Sequence, residues 1–214
     1  MLVYTLATFN VALTLAVLLL ARHQHRVLTT LHTRLTIAEY RASHDDLTGL
    51  LNRRAILAHL QTQLDASRPV TIAVLDFDDF KAINDNHGHD AGDKALIEAA
   101  RQLKALPMTA GRLGGDEFLM VTTADPRTGS AHAVAAQAAI ASACIDAAGR
   151  TVRLAVTAGV AHAPAGISLP DLMRRADRAM YAAKRTGEPL QTYHDEIPDV
   201  PAPGPQHHRR TYRR

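Results

Sequence analysis

Aromatic residues and cysteine are scarce in this chain of 214 residues. Aromatic residues make up 4% of it, there is no tryptophan, and Cys144 is the single cysteine. One cysteine excludes an internal disulfide and is typical of a reducing compartment. Because Cys144 lies in an alanine-rich segment that we predict to be helical, we expect its side chain to be a small, buried, apolar one.

The net charge of the chain is +3 and its isoelectric point is about 9.2, a basic balance that raises the question of a nucleic-acid partner. The basic excess lies near the two ends, in Arg22 and Arg26 and in four arginines among the last six residues. A nucleic-acid-binding surface would need a basic stripe interleaved with aromatic residues, and the central part shows none. We therefore expect no nucleic-acid partner.

Residues 2–21 carry no charge and are rich in Leu, Val and Ala. A helix needs about 20 apolar residues to cross a membrane. The alternative is a cleaved secretory signal, but no positive residue precedes this run and its end is a poor cleavage site. Arg22 and Arg26 follow directly, and the positive-inside rule then places the remaining chain in the cytoplasm. The sequence thus predicts a single-pass anchor over residues 1–21 in the cytoplasmic (inner) membrane.

Residues 22–42 contain no glycine or proline and are predicted to form a helical stalk. Leu28, Leu31, Leu35 and Ala38 alternate at spacings of three and four, which is the seam of a coiled coil. This seam covers only about two heptads. Two interpretations stay open: a dimerising stalk, and an amphipathic helix that lies on its own domain.

Residues 43–194 alternate between helical and extended patterns, and residues 195–214, rich in Pro, His and Arg, are predicted to be a disordered tail. Asn52 is a predicted N-cap, and Ser168 with Asp171 forms a predicted capping pair. The order strand–helix–hairpin–helix–strand predicts an α+β domain with a ferredoxin-like βαββαβ core and additions. The predicted helices cover residues 53–64, 91–106, 130–147 and 169–184, and the predicted strands 70–76, 110–122 (a hairpin), 151–162 and 190–193.

Two acidic clusters lie at the ends of predicted strands. Asp76, Asp78 and Asp79 follow a buried-type strand, and Asp116 and Glu117 follow the two glycines of the hairpin. If the strands are neighbours, these carboxylates meet and offer the oxygen ligands that Mg²⁺ prefers. The alternative is that all of them are solvated turn residues.

Five segments, in order, resemble the motifs of the GGDEF family, the diguanylate cyclases. The hairpin Gly111-Arg112-Leu113-Gly114-Gly115-Asp116-Glu117-Phe118 is similar to the signature of that family. The other four segments are residues 44–54, 75–85, 88–93 and 176–184. The resemblance extends over about residues 43–193.

The resemblance implies an enzyme that condenses two GTP into cyclic di-GMP with release of pyrophosphate, using Mg²⁺ (or Mn²⁺) and acting as a homodimer. A catalytically weak module that binds GTP or a cyclic dinucleotide is the alternative. By resemblance the metal ligands are Asp76, the Phe77 carbonyl and Asp116, and the catalytic residues are Asp116, Glu117 and Lys81. By resemblance Asn84 and Asp93 contact guanine, the backbone of Phe77, Asp78, Asp79 and Phe80 contacts phosphate, and Lys184 contacts the triphosphate.

The chain also departs from the family pattern at two places. Ala105 and Met108 stand where many members carry the Arg and Asp of an inhibitory product-binding motif, so we expect no feedback inhibition through that site. Glu188 replaces a phosphate-binding arginine and puts a repulsive charge near the triphosphate. Two further expectations are an ion pair between Asp45 and Arg53 and a scaffolding role for Arg112.

Overall fold

The computed structural model describes the backbone of residues 2–198 and the side chains of residues 18–198. The chain divides into two compact units, residues 1–42 and residues 43–214.

The first unit is formed by one long helix, α1 (Leu2–Ser43). Leu28, Leu31 and Leu35 of the predicted seam expose 65%, 55% and 57% of their surface. Among the described residues, we find no helix with the length and apolar character needed to cross a bilayer. The side chains of residues 1–17, most of the predicted anchor, lie outside the described part.

The second unit contains a five-stranded sheet and a separate two-stranded hairpin. The elements are α2 (Arg53–Asp65), β1 (Thr71–Phe77), α3 (Phe80–His87), α4 (His89–Lys104), β2 (Thr109–Gly114), β3 (Glu117–Thr122), α5 (Pro126–Ala141), β4 (Cys144–Ala147), β5 (Arg150–Arg153), β6 (Val156–His162), α6 (Leu169–Thr186) and β7 (Leu190–Thr192). The large sheet has the order β2-β3-β1-β6-β7, antiparallel except that β7 runs parallel to β6. The predicted mixed α+β fold and its βαββαβ strand order are confirmed.

The sheet is covered on both faces. Ala73, Leu75 and Phe77 of β1 face a core formed with α4 and α5, whereas Ile72 and Val74 face a core formed with α2 and α6. A strand buried on both faces is apolar along its whole length rather than at alternate positions. This explains the continuous apolar run that precedes Asp76.

The predicted helix caps are present. The Asn52 side chain accepts a hydrogen bond from the Ala55 N–H at 3.0 Å, and Ser168 Oγ accepts one from the Asp171 N–H at 3.2 Å. The Ser168 hydroxyl also donates to the Asp171 carboxylate at 2.6 Å. Side chains at these positions satisfy backbone donors that the first helical turn leaves unpaired.

The predicted strand over residues 151–162 is wrong, because it is two strands in two different sheets. β5 pairs with β4, and β6 starts at Val156 beside β1. Ala148 and Gly149 connect β4 to β5 with φ of 54° and 79°, the two positive values of a tight primed hairpin turn. The Asp146 carboxylate accepts from the Gly149 N–H at 2.7 Å and holds this turn.

The prediction for Cys144 is also wrong. Helix α5 ends at Ala141 rather than at residue 147, and Cys144 begins the edge hairpin with its side chain exposed. Ala143 accepts a hydrogen bond from Leu154 N–H at 3.1 Å, which turns the chain away from the helix axis.

The described chain continues past β7 and packs on α6. Ile197 is buried, and the Arg178 guanidinium donates to the carbonyls of Ile197 and Pro198. The ring of Tyr193 lies under the guanidinium of Arg175, 5.0 Å away, and under that of Arg178. Of the predicted tail, residues 199–214 lie outside the described part.

Candidate active site

The two acidic clusters meet at one end of the central strands. Asp76 of β1 lies opposite Glu117 of β3 in the antiparallel register. Asp116 precedes Glu117, and its carbonyl accepts a long hydrogen bond of 3.4 Å from the Phe77 N–H. The sheet therefore brings together the carboxylates of Asp76, Asp116 and Glu117, which the sequence separates by some 40 residues.

The electrostatics of Asp116 reflect this crowding. Burial is the largest cause that raises the pKa of Asp116, and the neighbouring carboxylates of Asp76 and Glu117 raise it further, against the effect of Lys184. Like charges that are close together favour protonation, because each makes ionisation of the other more costly. The site therefore carries negative charge that a bound cation would neutralise.

The positively charged group beside these carboxylates is the ammonium of Lys184. Its ammonium, on the last turns of α6, contacts the Asp76 carboxylate and lies 3.6 Å from Asp78 Oδ1. The resemblance assigns Lys184 to the substrate triphosphate. In this structure the same ammonium neutralises the predicted metal ligand.

Within the described part of the chain, no three or more His, Cys, Asp or Glu side chains are arranged to hold a metal ion. The predicted ligands are two carboxylates, Asp76 and Asp116, and the Phe77 carbonyl. A set of this kind fits Mg²⁺, which usually takes one or two carboxylates and completes its shell with water and substrate phosphates.

The predicted phosphate-binding segment is partly engaged by the protein itself. The Phe77 N–H donates to Asp116, and the Asp78 N–H donates to the Ala155 carbonyl at 2.9 Å. The prediction that both N–H groups contact phosphate therefore conflicts with their bonds here. At the beginning of α3, Asp79 adopts a left-handed φ of 55°.

The side chains of the same segment hold it in place. The Phe77 ring is buried and packs against the rings of Phe80 and Phe118, with centroids 5.4 and 6.3 Å away. The Asp78 carboxylate accepts a hydrogen bond from the Thr157 hydroxyl at 2.8 Å. The Lys81 side chain is exposed at the start of α3.

The two predicted guanine ligands lie on adjacent helices. Asn84 is on α3, Asp93 is on α4, and the helices are joined at Gly88 with φ of 83°. Asn84 lies against Gly92, so closely that a Cβ at Gly92 would be 2.1 Å from Asn84 Oδ1. The amide and the carboxylate therefore flank one short stretch of backbone, and together they can pair with donors and acceptors on a purine edge.

A cleft of about 480 Å³ lies between α6, α5 and the beginning of α3. Its lining includes Asp78, Asp79, Lys184 and Glu188. Of these four residues only Lys184 is positively charged, and its ammonium is already paired with acidic side chains. Glu188 therefore adds a negative charge to the lining of the cleft that contains Lys184.

Sequence reasoning missed one ion pair beside this site. Asp45 pairs with Arg112, 3.1 Å away, instead of with the predicted Arg53, whose guanidinium donates to the Leu113 carbonyl. Burial tends to raise the pKa of Asp45, but hydrogen bonds from Thr48 and Arg112 outweigh it and leave that pKa lowered. The partners are 67 residues apart, and no local pattern in the sequence connects them.

Comparison with known proteins points to one family. The profile of the family described as "Diguanylate cyclase, GGDEF domain" matches residues 42–189. An uncharacterized signaling protein of Caulobacter vibrioides is 38% identical over 161 residues, covering 69% of this chain and 20% of that protein. The diguanylate cyclase DgcM of Escherichia coli is 34% identical over 160 residues, covering 70% of this chain and 38% of DgcM. The chain thus spans well under half the length of these curated relatives.

Solved structures agree with this comparison. The coiled coil and GGDEF domain of DgcB from Caulobacter crescentus, in complex with c-di-GMP, superposes with a TM-score of 0.71 and 26% identity. The superposition covers 79% of this chain and 94% of that one. The diguanylate cyclase SiaD from Pseudomonas aeruginosa, in complex with its activator SiaC, gives a TM-score of 0.67 and 28% identity over 78% of this chain and 68% of SiaD.

Proposed function

Since the chain belongs to the GGDEF family of diguanylate cyclases, we propose that it condenses two molecules of GTP into cyclic di-GMP and releases pyrophosphate. The observation that supports this most strongly is the pairing of Asp76 with Glu117 across β1 and β3, beside Asp116. Lys184, which contacts the Asp76 carboxylate, also lines the cleft of about 480 Å³, and Asn84 and Asp93 lie on the adjacent helices α3 and α4.

In the proposed reaction a ribose hydroxyl oxygen of each GTP attacks the α-phosphorus of the other. Each of the two attacks breaks the bond between the α- and β-phosphates and releases one pyrophosphate. Asp116 accepts the hydroxyl proton, a role for which a raised carboxyl pKa is suited because it lies closer to the working pH. Lys184 and Lys81 stabilise the charge that develops on the phosphates. A divalent cation on Asp76, Asp116 and the Phe77 carbonyl would add charge neutralisation and alignment.

We propose that the active form is a homodimer. Each domain offers one set of guanine and phosphate ligands, so a bond between two nucleotides needs two domains face to face. The exposed Leu28, Leu31 and Leu35 on α1 provide an apolar seam through which two helices can associate. Two heptads bind weakly on their own, so the seam would act mainly by raising the local concentration of the domains.

Attachment to the cytoplasmic membrane stays a prediction from residues 1–21. It is tested by expressing the full chain and extracting the membrane fraction at alkaline pH, with the Met1–Ala42 deletion as the control. An anchored chain stays in the pellet after extraction, whereas a chain in the supernatant contradicts the anchor.

A catalytically weak nucleotide-binding module is the second candidate, and Glu188 is the observation that favours it. A carboxylate in the cleft repels the triphosphate, and Lys184 is held by Asp76. The deciding experiment incubates the full chain with GTP and Mg²⁺ and follows cyclic di-GMP by chromatography, with Asp116→Asn as the control. Product from the wild type alone supports the cyclase; GTP binding without product supports the module.

A further inference from the structure

The hairpin turn that carries Asp116 is held by one arginine. Arg112 donates from Nε and Nη2 to the Gly115 carbonyl, at 3.0 and 2.7 Å, and from Nη1 to both Asp45 oxygens, at 3.1 and 3.2 Å. Its side chain is 15% exposed. A rigid, planar guanidinium satisfies both partners at once, which a lysine ammonium cannot do with the same geometry.

The other hydrogen bonds described beside the turn are long: Arg53 donates to the Leu113 carbonyl at 3.5 Å, and the Phe77 N–H donates to the Asp116 carbonyl at 3.4 Å. Gly114 and Gly115 have φ of 141° and 54°, and the register between β2 and β3 shifts between Arg112 and Gly114. Glycine is conformationally free, so two in succession leave the following residue poorly positioned unless contacts fix them. The peptide that Arg112 holds by its carbonyl is the one that leads into Asp116.

Asp45 is in turn fixed by its own surroundings. Thr48 donates to Asp45 Oδ1 from its backbone N–H at 2.9 Å and from its hydroxyl at 2.7 Å. The Arg112 N–H donates to the Leu51 carbonyl at 2.8 Å. Arg112 is therefore anchored to the 45–51 turn by both its backbone and its side chain.

We propose that Arg112 is a positioning residue that sets the place of the Asp116 carboxylate through the Gly115 carbonyl. In this role Arg112 acts through the Gly115 carbonyl and not by direct contact with the nucleotide or the cation. This role rests on the proposed cyclase function, in which Asp116 must be correctly placed for the attacking hydroxyl and for the cation. Small displacements of such a group cost rate more than they cost substrate binding.

A purely structural role predicts something different. An arginine that only stabilises the domain lowers activity in proportion to the unfolded fraction and leaves the kinetic constants of folded molecules unchanged. A positioning arginine lowers kcat while the KM for GTP stays nearly constant, because Asn84 and Asp93 belong to α3 and α4 and not to the turn that Arg112 holds.

The test compares the full chain with Arg112→Met, Arg112→Lys and the control Arg101→Met, which removes an exposed arginine paired only with Glu98 in α4. For Arg112→Met we expect kcat to fall at least tenfold with KM for GTP changed less than threefold, after correction for the folded fraction from urea unfolding. We expect the kcat of Arg112→Lys to lie between those of the wild type and Arg112→Met, and the kcat of Arg101→Met to equal that of the wild type. If activity falls only in proportion to the folded fraction, or if the main effect is a higher KM for GTP, the proposal is overturned.

A second measurement does not depend on turnover. By hydrogen exchange, the amides of residues 114–117 should exchange at least about tenfold faster in Arg112→Met than in the wild type, while those of β6 stay unchanged. Equal exchange in the turn overturns the positioning role even if activity falls. If the wild type makes no cyclic di-GMP but the exchange result holds, the proposed function fails and the role of Arg112 in fixing the turn stands.

Discussion

Lys184→Met should have opposite effects on two ligands of the same site. Methionine keeps the length of the side chain and removes the ammonium that contacts Asp76 and lies 3.6 Å from Asp78. A cation that binds Asp76 in the absence of nucleotide must displace this ammonium, whereas GTP in the cleft gives the lysine a new anionic partner. We therefore expect Lys184→Met to tighten cation binding and to weaken GTP binding.

The structure sets the size of the effect. Between Lys184 and Asp78 Oδ1, 3.6 Å apart, unit charges attract by about 1 kcal/mol at the dielectric constant of water and by about 5 kcal/mol at an effective value of 20. We take this pair as the measure of the local attraction that a cation on Asp76 must overcome. The Lys184 side chain is 34% exposed, so solvent screening favours the lower figure. A change of about 1 kcal/mol corresponds to about a fivefold tighter cation dissociation constant.

The assay titrates nucleotide-free protein with Mn²⁺ at pH 8 and measures free Mn²⁺ by electron paramagnetic resonance. Arg185→Met is the matched control, because it removes the next charge on α6 and, with its guanidinium 6.0 Å from the Tyr181 ring, leaves the Asp76 contact intact. A second titration measures an unreactive GTP analogue with Mn²⁺ present. Mn²⁺ affinity that is unchanged or weaker in Lys184→Met, or that rises equally in Arg185→Met, would refute the reasoning.

Four further outcomes are expected. Asp116→Asn should lower turnover more than tenfold, which corresponds to about 1.4 kcal/mol of barrier. Because burial raises the pKa of Asp116, the same variant should have a higher free energy of unfolding without metal at pH 8, and this gain should vanish as the pH falls towards the ordinary carboxyl value of 3.8. A variant that is destabilised at pH 8 would contradict this expectation. Gly159→Ala should destabilise the domain by about 3 kcal/mol in urea unfolding, since its Cβ would lie 2.1 Å from a backbone oxygen of α6; an unchanged midpoint would be evidence against that close packing. Added cyclic di-GMP should not inhibit strongly, because Ala105 and Met108 offer no charged group to grip it, and micromolar inhibition would reveal another site. Deleting residues 1–42 should make specific activity rise with protein concentration, and a constant value down to nanomolar protein would show that the stalk is dispensable.

Local features of the fold could be predicted from the sequence, because they depend on neighbouring residues. Asn52 and Ser168 cap helices where their side chains can reach N–H groups three residues ahead. The apolar run before Asp76 and the glycine pair before Asp116 likewise predicted a strand end and a hairpin. These signals were enough for the order of the core strands.

The β4–β5 hairpin was missed, although a signal for it exists. Alanine is uncommon at a positive φ, so Ala148-Gly149 does not stand out as a primed turn in the way that Asn-Gly does. The Asp146 side chain that caps Gly149 compensates for this. The run of alanines before Cys144 favoured a longer helix, and pairing with β5 overrode that propensity.

The partners within the site could not be predicted, because they are distant in sequence. Asp45 and Arg112 are 67 residues apart, and Lys184 and Asp76 are 108 residues apart. The sequence predicted Arg53 as the partner of Asp45, and the family resemblance predicted the triphosphate as the partner of Lys184. Which cation meets which carboxylate depends on how α6 lies on the sheet.

The central place of β1 has a consequence for how the protein is made. This strand needs β3 on one side and β6 on the other, and both are synthesised after it. Until then a nascent chain carries its most apolar strand with two open edges, the state in which chains aggregate or recruit chaperones. Asp76 receives Lys184 last, when α6 has left the ribosome. A chain that ends before α6 therefore lacks the contact between Lys184 and Asp76.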